Sequence, residues 1–313
     1  MRKSAQHSRA LVLAAVATAL AVAVGVARAT YAGENGRLAF GMNVSGNFDV
    51  YSVLPNGHGL RQLTTNPGFD ACAAYSADGR EIAYCSGILF GPGTGTIEIW
   101  KMRQNGTDKQ QVTRLGGFAT FPDFSPDGSE IAFAGRPPGS TNTDVYVVNS
   151  DGSDLRRLTK DAMFDGFPAW SPDGSELVFL SGRSGINQVW TMNADGSDET
   201  QLTFDSQRKD QVPDWSPDGS KIAYVADTGP QPGGDIWVMN ADGTAQHALT
   251  SGPPREFGAA WSPDRTEIAF VNLDLQPQTI ELMNADGTGA HPLSPGGAQA
   301  VPGWQPRVDD DGE

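Results

Sequence analysis

Residues 170–175 read WSPDGS, and residues 215–220 read WSPDGS again, 45 positions later. A hexapeptide containing Trp and Pro rarely recurs by chance in one chain, so an internal repeat is the first thing to look for. Looser copies flank the pair: YSADGR from Tyr75, FSPDGS from Phe124 and WSPDRT from Trp261, with a last fragment, WQP, at Trp304. Seven residues after each leading aromatic except the last comes an aliphatic, Ile82, Ile131, Leu177, Ile222 or Ile268, opening a triplet of the IAF type. A sixth triplet, Leu38-Ala39-Phe40, has no hexapeptide in front of it. A third column reads DIWVMNADG at 235–243, with relatives at 49–57, 98–106, 144–152, 188–196 and 279–287. The Gly that closes it lies six residues before a fourth column of Leu or Val followed by Thr or Ser: Leu63, Val112, Leu158, Leu202, Leu249 and Leu293.

Each column reads as a short strand, because β-branched and aromatic residues are separated by turn residues. PDG, ADG and NG between apolar runs are tight-turn signals, since Asn, Asp and Gly accept the positive φ such turns need. One repeat is therefore four antiparallel strands, A (PAWS), B (IAF), C (DIWVMN) and D (RQLT). Four strands in about 45 residues is the signature of a β-propeller blade. Helical repeats are excluded, because no apolar pattern of period 3.6 runs through the units.

Strands B, C and D occur six times. Strand A also occurs six times, but its set is shifted: the first B–C–D group lacks an A strand, and the last A strand, VPGW at 301–304, is followed by nothing. A six-bladed, all-β ring that borrows one strand from the far terminus cancels both defects and removes exposed sheet edges. This predicts a strand over 299–304 paired with 37–41. If each leading aromatic faces its aliphatic, the register predicts the facing pairs Phe121/Ala134, Phe167/Leu180, Val212/Val225 and Gly258/Val271. Val301/Gly41 takes the same slot in the closing blade. Cys72 and Cys85 also take it. Facing antiparallel residues have Cα atoms about 4.5–5.5 Å apart, within disulfide range. In an exported protein such a pair reads as a bridge; the alternative is a reduced apolar pair.

The chain has 313 residues and a formal charge of −15. Arg2, Lys3 and Arg9 precede an uncharged Ala/Val/Leu run from Ala10 to Val26, then Ala27-Arg28-Ala29. That is the pattern of a secretory signal peptide over 1–29, with an uncleaved membrane anchor as the alternative. Cleavage leaves a propeller over 30–306, an acidic tail over 307–313 and no stable membrane span. The destination is the periplasm or the extracellular space. So acidic a surface repels phosphate backbones, which argues against nucleic acid as a partner.

The string DGFPAWSPDGSELVFLSGRSGINQVWTMNADGSDETQLT (165–203) resembles the TolB-type propeller repeat, and the resemblance extends over residues 36–306. It implies a six-bladed propeller that binds protein partners. In the Tol–Pal cell-envelope system the TolB propeller follows a smaller α/β domain, for which there is no room between Ala29 and Gly36. Related propellers precede the catalytic domain of prolyl-oligopeptidase-type peptidases. Here no hydrolase domain follows Trp304, and no G-x-S-x-G occurs.

Converging chemistry is hard to find. SPDG and NADG are turns whose Asp residues bend the backbone, and NADGSD (193–198) lacks the length and terminal Glu of an EF-hand loop. His58, His247 and His291 lie on or just before outer D strands, away from any axial pocket. No catalytic residue, metal site or cofactor is expected. The enzyme alternative is a metal-dependent propeller lactonase or lyase.

Loop lengths carry more. The A–B and C–D intervals are constant, whereas the interval from the B-strand aromatic to the C-strand aromatic column runs from 11 to 16 residues. In an up-and-down blade this makes one face uniform and the other individual, and binding favours variable loops on a rigid scaffold. The longest B–C segment, SGILFGPGTGT (86–96), offers Ile88, Leu89 and Phe90 as contact candidates; the alternative is that they tuck into their own blade. Five residues before each leading aromatic lie Asp70, Ala119, Asp165, Asp210, Glu256 and Gln299. Four carboxylates there suggest a ring at the channel mouth that attracts cations or basic segments. The alternative is local, a hydrogen bond from each carboxylate to nearby backbone, and the TolB-type repeat commonly carries Asp in this column. The reading is of an exported, monomeric, non-catalytic scaffold that takes a protein or peptide partner on the individual face.

Overall fold

The computed structural model describes residues 31–44, 46–91, 94–227, 233–275, 277–293 and 302–307. The expected leader (1–29) lies outside them, and so does the expected acidic tail (307–313) except for Arg307, which pairs with Glu34 as part of the last strand. The chain opens with β1 (Glu34–Val44), β2 (Asn47–Val53) and β3 (Arg61–Gln62). The next two repeats are β4 (Phe69–Tyr75), β5 (Glu81–Gly91), β6 (Thr94–Arg103) and β7 (Gln110–Gln111), then β8 (Phe118–Phe124), β9 (Glu130–Arg136), β10 (Asp144–Asn149) and β11 (Arg156–Arg157). The fourth repeat is β12 (Asp165–Trp170), β13 (Glu176–Ser181), β14 (Gln188–Asn193) and β15 (Thr200–Gln201). The fifth is β16 (Lys209–Trp215), β17 (Lys221–Asp227), β18 (Asp235–Asn240) and β19 (His247–Ala248). The sixth is β20 (Glu256–Trp261), β21 (Glu267–Asn272), β22 (Thr279–Asn284) and β23 (His291–Pro292), and β24 (Gly303–Arg307) ends the series.

Each repeat forms an antiparallel four-stranded sheet in the order A-B-C-D. β24 joins the first blade beside β1, with Trp304 opposite Leu38 and Gly303 opposite Ala39. The ring is thus closed by strand exchange between the termini, over 303–307 and 34–39 (residues 299–301 lie outside the described set). The second and third blades are fused into one eight-stranded sheet by a single parallel bridge, Ile97 to Phe118. Among the described residues there is no helix, and so none long and apolar enough to cross a membrane.

The core lies between blades. Ala39, Val50 and Leu63 of the first blade pack against Ala73, Tyr75, Ile82, Tyr84 and Met102 of the second. Ala132, Val145 and Val147 of the third meet Trp170, Leu177 and Phe179 of the fourth. Sheets covered on both faces need near-continuous apolar strands rather than alternation, which is why the B strands read IAF and LVF. Contact between blades also explains the Gly that closes strand C. Its φ is positive, +89° at Gly152, and a Cβ there would stand 2.6 Å from the Val112 carbonyl oxygen of the preceding blade. Gly57 approaches the Leu293 carbonyl in the same way and seals the first blade against the sixth.

Every leading aromatic faces its aliphatic as expected, Trp170 to Leu177 and Trp215 to Ile222 among them. Beyond that the register departs from the sequence reading by one residue. Thr120, not Phe121, faces Ala134; Gly166, not Phe167, faces Leu180; Gln211 faces Val225, and Phe257 faces Val271. One extra residue is inserted in each inner strand, a β-bulge, with φ of 56° at Cys72, 57° at Phe121, 55° at Phe167 and 49° at Val212. The bulge turns its side chain toward the neighbouring blade, and Phe121 and Phe167 stack with ring centroids 4.2 Å apart. Cys72 occupies the bulge, so Ala71 faces Cys85 in the ladder. The two Sγ atoms are nonetheless bonded, across a Cα separation of 5.5 Å.

Candidate functional site

The four carboxylates of the predicted channel-mouth column are all buried: Asp70, Asp165, Asp210 and Glu256. Each stands at the start of an inner strand, and two of them are tied to the Thr that ends the D column of the preceding blade. The Val189 N–H donates to Thr203 Oγ1 at 2.9 Å, and Thr203 Oγ1 donates to Asp210 Oδ2. Likewise the Ile236 N–H donates to Thr250 Oγ1 at 2.9 Å, and Thr250 donates to Glu256 Oε2 at 3.1 Å. In the second blade strand C supplies the acceptor, for Thr113 donates to Glu98 Oε2 at 2.5 Å and the next inner strand has Ala119 in the column. Glu98 also accepts the N–H groups of Leu115 at 3.0 Å and Gly116 at 2.7 Å. At these three junctions one carboxylate anchors a Thr that anchors a backbone N–H; at the first junction the anchor is again on strand C, since Thr64 donates to Asp49 Oδ1 at 3.2 Å and accepts the Val50 N–H at 2.9 Å.

Their electrostatics follow burial. Asp210 is pushed up to about 7 and Glu256 to about 8, in both cases chiefly by desolvation. Desolvation also raises Asp70 and Asp165. Asp165 gains a partner in Arg183 Nη2 at 3.1 Å, and Arg183 also bridges Asp161 and Glu199. The charged neighbours of each carboxylate belong to its own junction. Among the described residues no group of three or more His, Cys, Asp and Glu is placed to hold a metal ion.

The other sequence candidates are on the surface. β5 and β6 run past the blade as one long hairpin, pairing Ile88 with Thr96 and Leu89 with Gly95. Ile88 is 58% exposed and Leu89 36%, while the Phe90 side chain lies outside the described residues. The same face, made by B–C and D–A connections, carries exposed Val44, Met163, Phe204 and Leu275.

Charge divides the two faces. The A–B and C–D connections hold thirteen acidic and three basic residues; the B–C and D–A connections hold five basic and three acidic. On the individual face each of those acids is already paired, Asp161 with Arg183, Asp205 with Arg208 and Asp274 with Arg255.

The uniform face is also stoppered, which the sequence did not reveal. Tyr31 is buried, and its hydroxyl donates to the Phe124 carbonyl in the third blade, with Asp123 and Asp214 as charged neighbours from the third and fifth blades. Gly33 N–H then donates to the Pro263 carbonyl at 3.3 Å, in the sixth. A segment can reach so many blades only at the axis. Phe124 and Pro263 border the SPDG turns, so residues 31–33 cross the uniform-face end of the channel.

A sequence profile of the TolB β-propeller domain matches residues 88–308. The chain belongs to the TolB β-propeller family. Among solved structures, this TolB-type propeller is similar to TolB from Acinetobacter baumannii, with 21% identity and a TM-score of 0.71 over 87% of this chain and 67% of that one. It is similar to a putative TolB from Agrobacterium tumefaciens at 22% identity and a TM-score of 0.66, over 86% of this chain and 94% of the other. An oligogalacturonate lyase in complex with manganese shares the fold at 16% identity and a TM-score of 0.57, over 86% and 77%. No curated protein matches the TolB-type chain in sequence.

Proposed function

We propose that this TolB-type propeller is an exported, monomeric, non-catalytic scaffold that binds a protein or peptide partner on its individual face, in the periplasm or outside the cell. On this reading residues 1–29 are a leader that is removed, the propeller runs from 30 through Arg307, the last residue of β24, and the acidic residues after it are a solvated tail. The observation that carries it is the pair Ile88 and Leu89, held out on a paired hairpin on the face that Tyr31 does not close. Apolar side chains displayed on a rigid support are the composition of an interface core. The buried carboxylates Asp210 and Glu256 serve as junction staples, since each has a Thr donor, and none of the four column carboxylates is open to solvent. A metal-dependent lyase needs ligands that converge, and the described residues bring no such group together.

The test is affinity capture from envelope extracts with the chain lacking residues 1–29, beside the same bait carrying Ile88→Ser and Leu89→Ser. A partner held by the first bait and lost from the second, at equal melting temperature, is the expected result. Capture of no partner, equal capture by both baits, or turnover of an oligogalacturonate would overturn the reading.

A further inference from the structure

The B–C and D–A connections of the individual face hold more basic than acidic residues on a strongly acidic molecule, and the basicity is concentrated. Arg114, Arg136, Lys160 and Lys209 lie in succession around the third to fifth blades, and among the described residues none of them is in a salt bridge, although Lys209 stands opposite the buried Asp227 in the β16–β17 ladder. Arg136 instead lies over the Phe118 ring, 4.4 Å from its centroid. Two large apolar side chains stand in the same sector, Met163 at 47% and Phe204 at 74% exposure, on the two connections that also carry Lys160 and lead into Lys209. An aromatic left this open beside unpaired cations has no role in the junction below it, because Leu202 and Thr203 already fill that place.

We propose that this sector, Arg114 to Lys209 with Met163 and Phe204 between them, docks an acidic polypeptide segment bearing an apolar anchor, which deepens the scaffold reading and rests on it. The argument is charge complementarity. The Asp-rich uniform face repels an acidic segment and the basic face attracts it, so the molecule's dipole presents one face to the incoming chain. The apolar pair then gives contact that salt does not screen. A short segment suits the surface better than a large polyanion does. A nucleic acid or an anionic bilayer would also meet the field of the remaining surface on a chain of formal charge −15.

The probe is a short fluorescein-labelled polyglutamate peptide with one central phenylalanine, titrated by anisotropy at low and high salt beside its polylysine counterpart. The glutamate peptide is expected to bind at low salt. The Lys160→Glu/Lys209→Glu variant is expected to weaken it by about tenfold there and by much less at high salt, where exposed charges are screened. Phe204→Ser should weaken it by a salt-independent factor, and the uniform-face variant Asp151→Lys/Asp195→Lys should not weaken it. Preference for the lysine peptide, or unchanged binding in Lys160→Glu/Lys209→Glu, overturns the proposal. So does binding to phosphatidylglycerol vesicles that outcompetes the peptide. If the probe fails while envelope capture still depends on Ile88 and Leu89, only this inference falls; if both fail, the scaffold reading falls too.

Discussion

Asp210→Asn removes a carboxyl group that burial at a blade junction holds up at about 7, against an ordinary value near 3.8. The native state therefore keeps a proton that the unfolded chain has lost, and between those two values stability falls as pH rises. At about 1.36 kcal/mol per unit, the part of that window above pH 5 spans roughly two units and costs the native protein on the order of 2–3 kcal/mol by pH 8. Asn keeps the oxygen that accepts from Thr203 but carries no charge. It adds a second N–H to place, so the variant should start about 1 kcal/mol lower at pH 5. Its decline between pH 5 and pH 8 should then be shallower than the wild-type decline by about 2 kcal/mol. At an unfolding entropy of about 2.1 cal/mol/K per residue, that is roughly a 3–4 °C difference in the pH-induced shift of melting temperature for a chain of this size. Glu256→Gln acts in the same direction over a window reaching about 8. The assay is thermal unfolding followed by tryptophan fluorescence at pH 5, 6.5 and 8, comparing slopes rather than offsets. Equal slopes in wild type and Asp210→Asn would show that Asp210 is ionised in the fold, open to solvent or to a cation, and the staple account would fail.

Two further predictions bear on the frame. Gly152→Ala should cost about 2–3 kcal/mol, combining a left-handed φ with the close approach to Val112, whereas Gly128→Ala, at φ +70° with open space around it, should cost about 1 kcal/mol; equal losses in unfolding titrations would remove the inter-blade contact from the account. Replacing Cys72 and Cys85 together by Ala opens a link of 13 residues and should lower stability by about 3 kcal/mol in the chain-entropy view, with unreduced wild-type protein two hydrogens lighter by mass spectrometry; two free thiols in exported protein would contradict the bridge.

Much of this fold is legible in the sequence because a blade is specified locally. PDG and NADG set two turns, the intervals set strand length, and the unmatched triplet Leu38-Ala39-Phe40 and the unmatched Trp304 declare the closure between them. The bulge was missed, yet Pro122, Pro168 and Pro213 mark it. A proline in the middle of a buried strand has no N–H for the ladder and is found at bulges or edges; each inner strand is the first strand of its blade, and the positive φ of the residue just before the proline places the bulge there. The partner of each carboxylate was missed for a different reason. Thr203 and Asp210 sit in columns that were both visible, but their hydrogen bond crosses from one blade to the next, and a repeat read one unit at a time does not show it. The junction with Ala119 is the informative one: Glu98, from another column, takes over the anchor, so what the fold requires is a carboxylate at that point in space. Tyr31 lay outside every column and left no periodic signal at all.

The same junctions explain where variation is permitted. On the uniform face the Gly contacts, Gly152 to Val112 and its equivalents, fix each C–D turn against the preceding blade. Ser171 and Ser216 bond the Asp of their own turns, at 2.7 and 2.8 Å, and fix the A–B turns. The D–A connections are pinned as well, because the Thr and the carboxylate that bracket them must meet: they are six residues apart at Thr64/Asp70, Thr159/Asp165 and Thr250/Glu256, and seven at Thr203/Asp210. Such connections can change their side chains but hardly their length, and Phe204 and Lys209 are changes of that kind. The B–C connections meet the next blade where they enter strand C, as where the Asp165 N–H donates to the Thr143 carbonyl at 2.9 Å and the Asp210 N–H to the Asn187 carbonyl at 3.0 Å, so a blade can lengthen beyond those points without loosening the ring. The second blade does so, by extending β5 and β6 to carry Ile88 and Leu89 outward. On the proposed reading, recognition has two physical sources: reach, supplied by one long hairpin, and charge, supplied by the bracketed connections of the third to fifth blades.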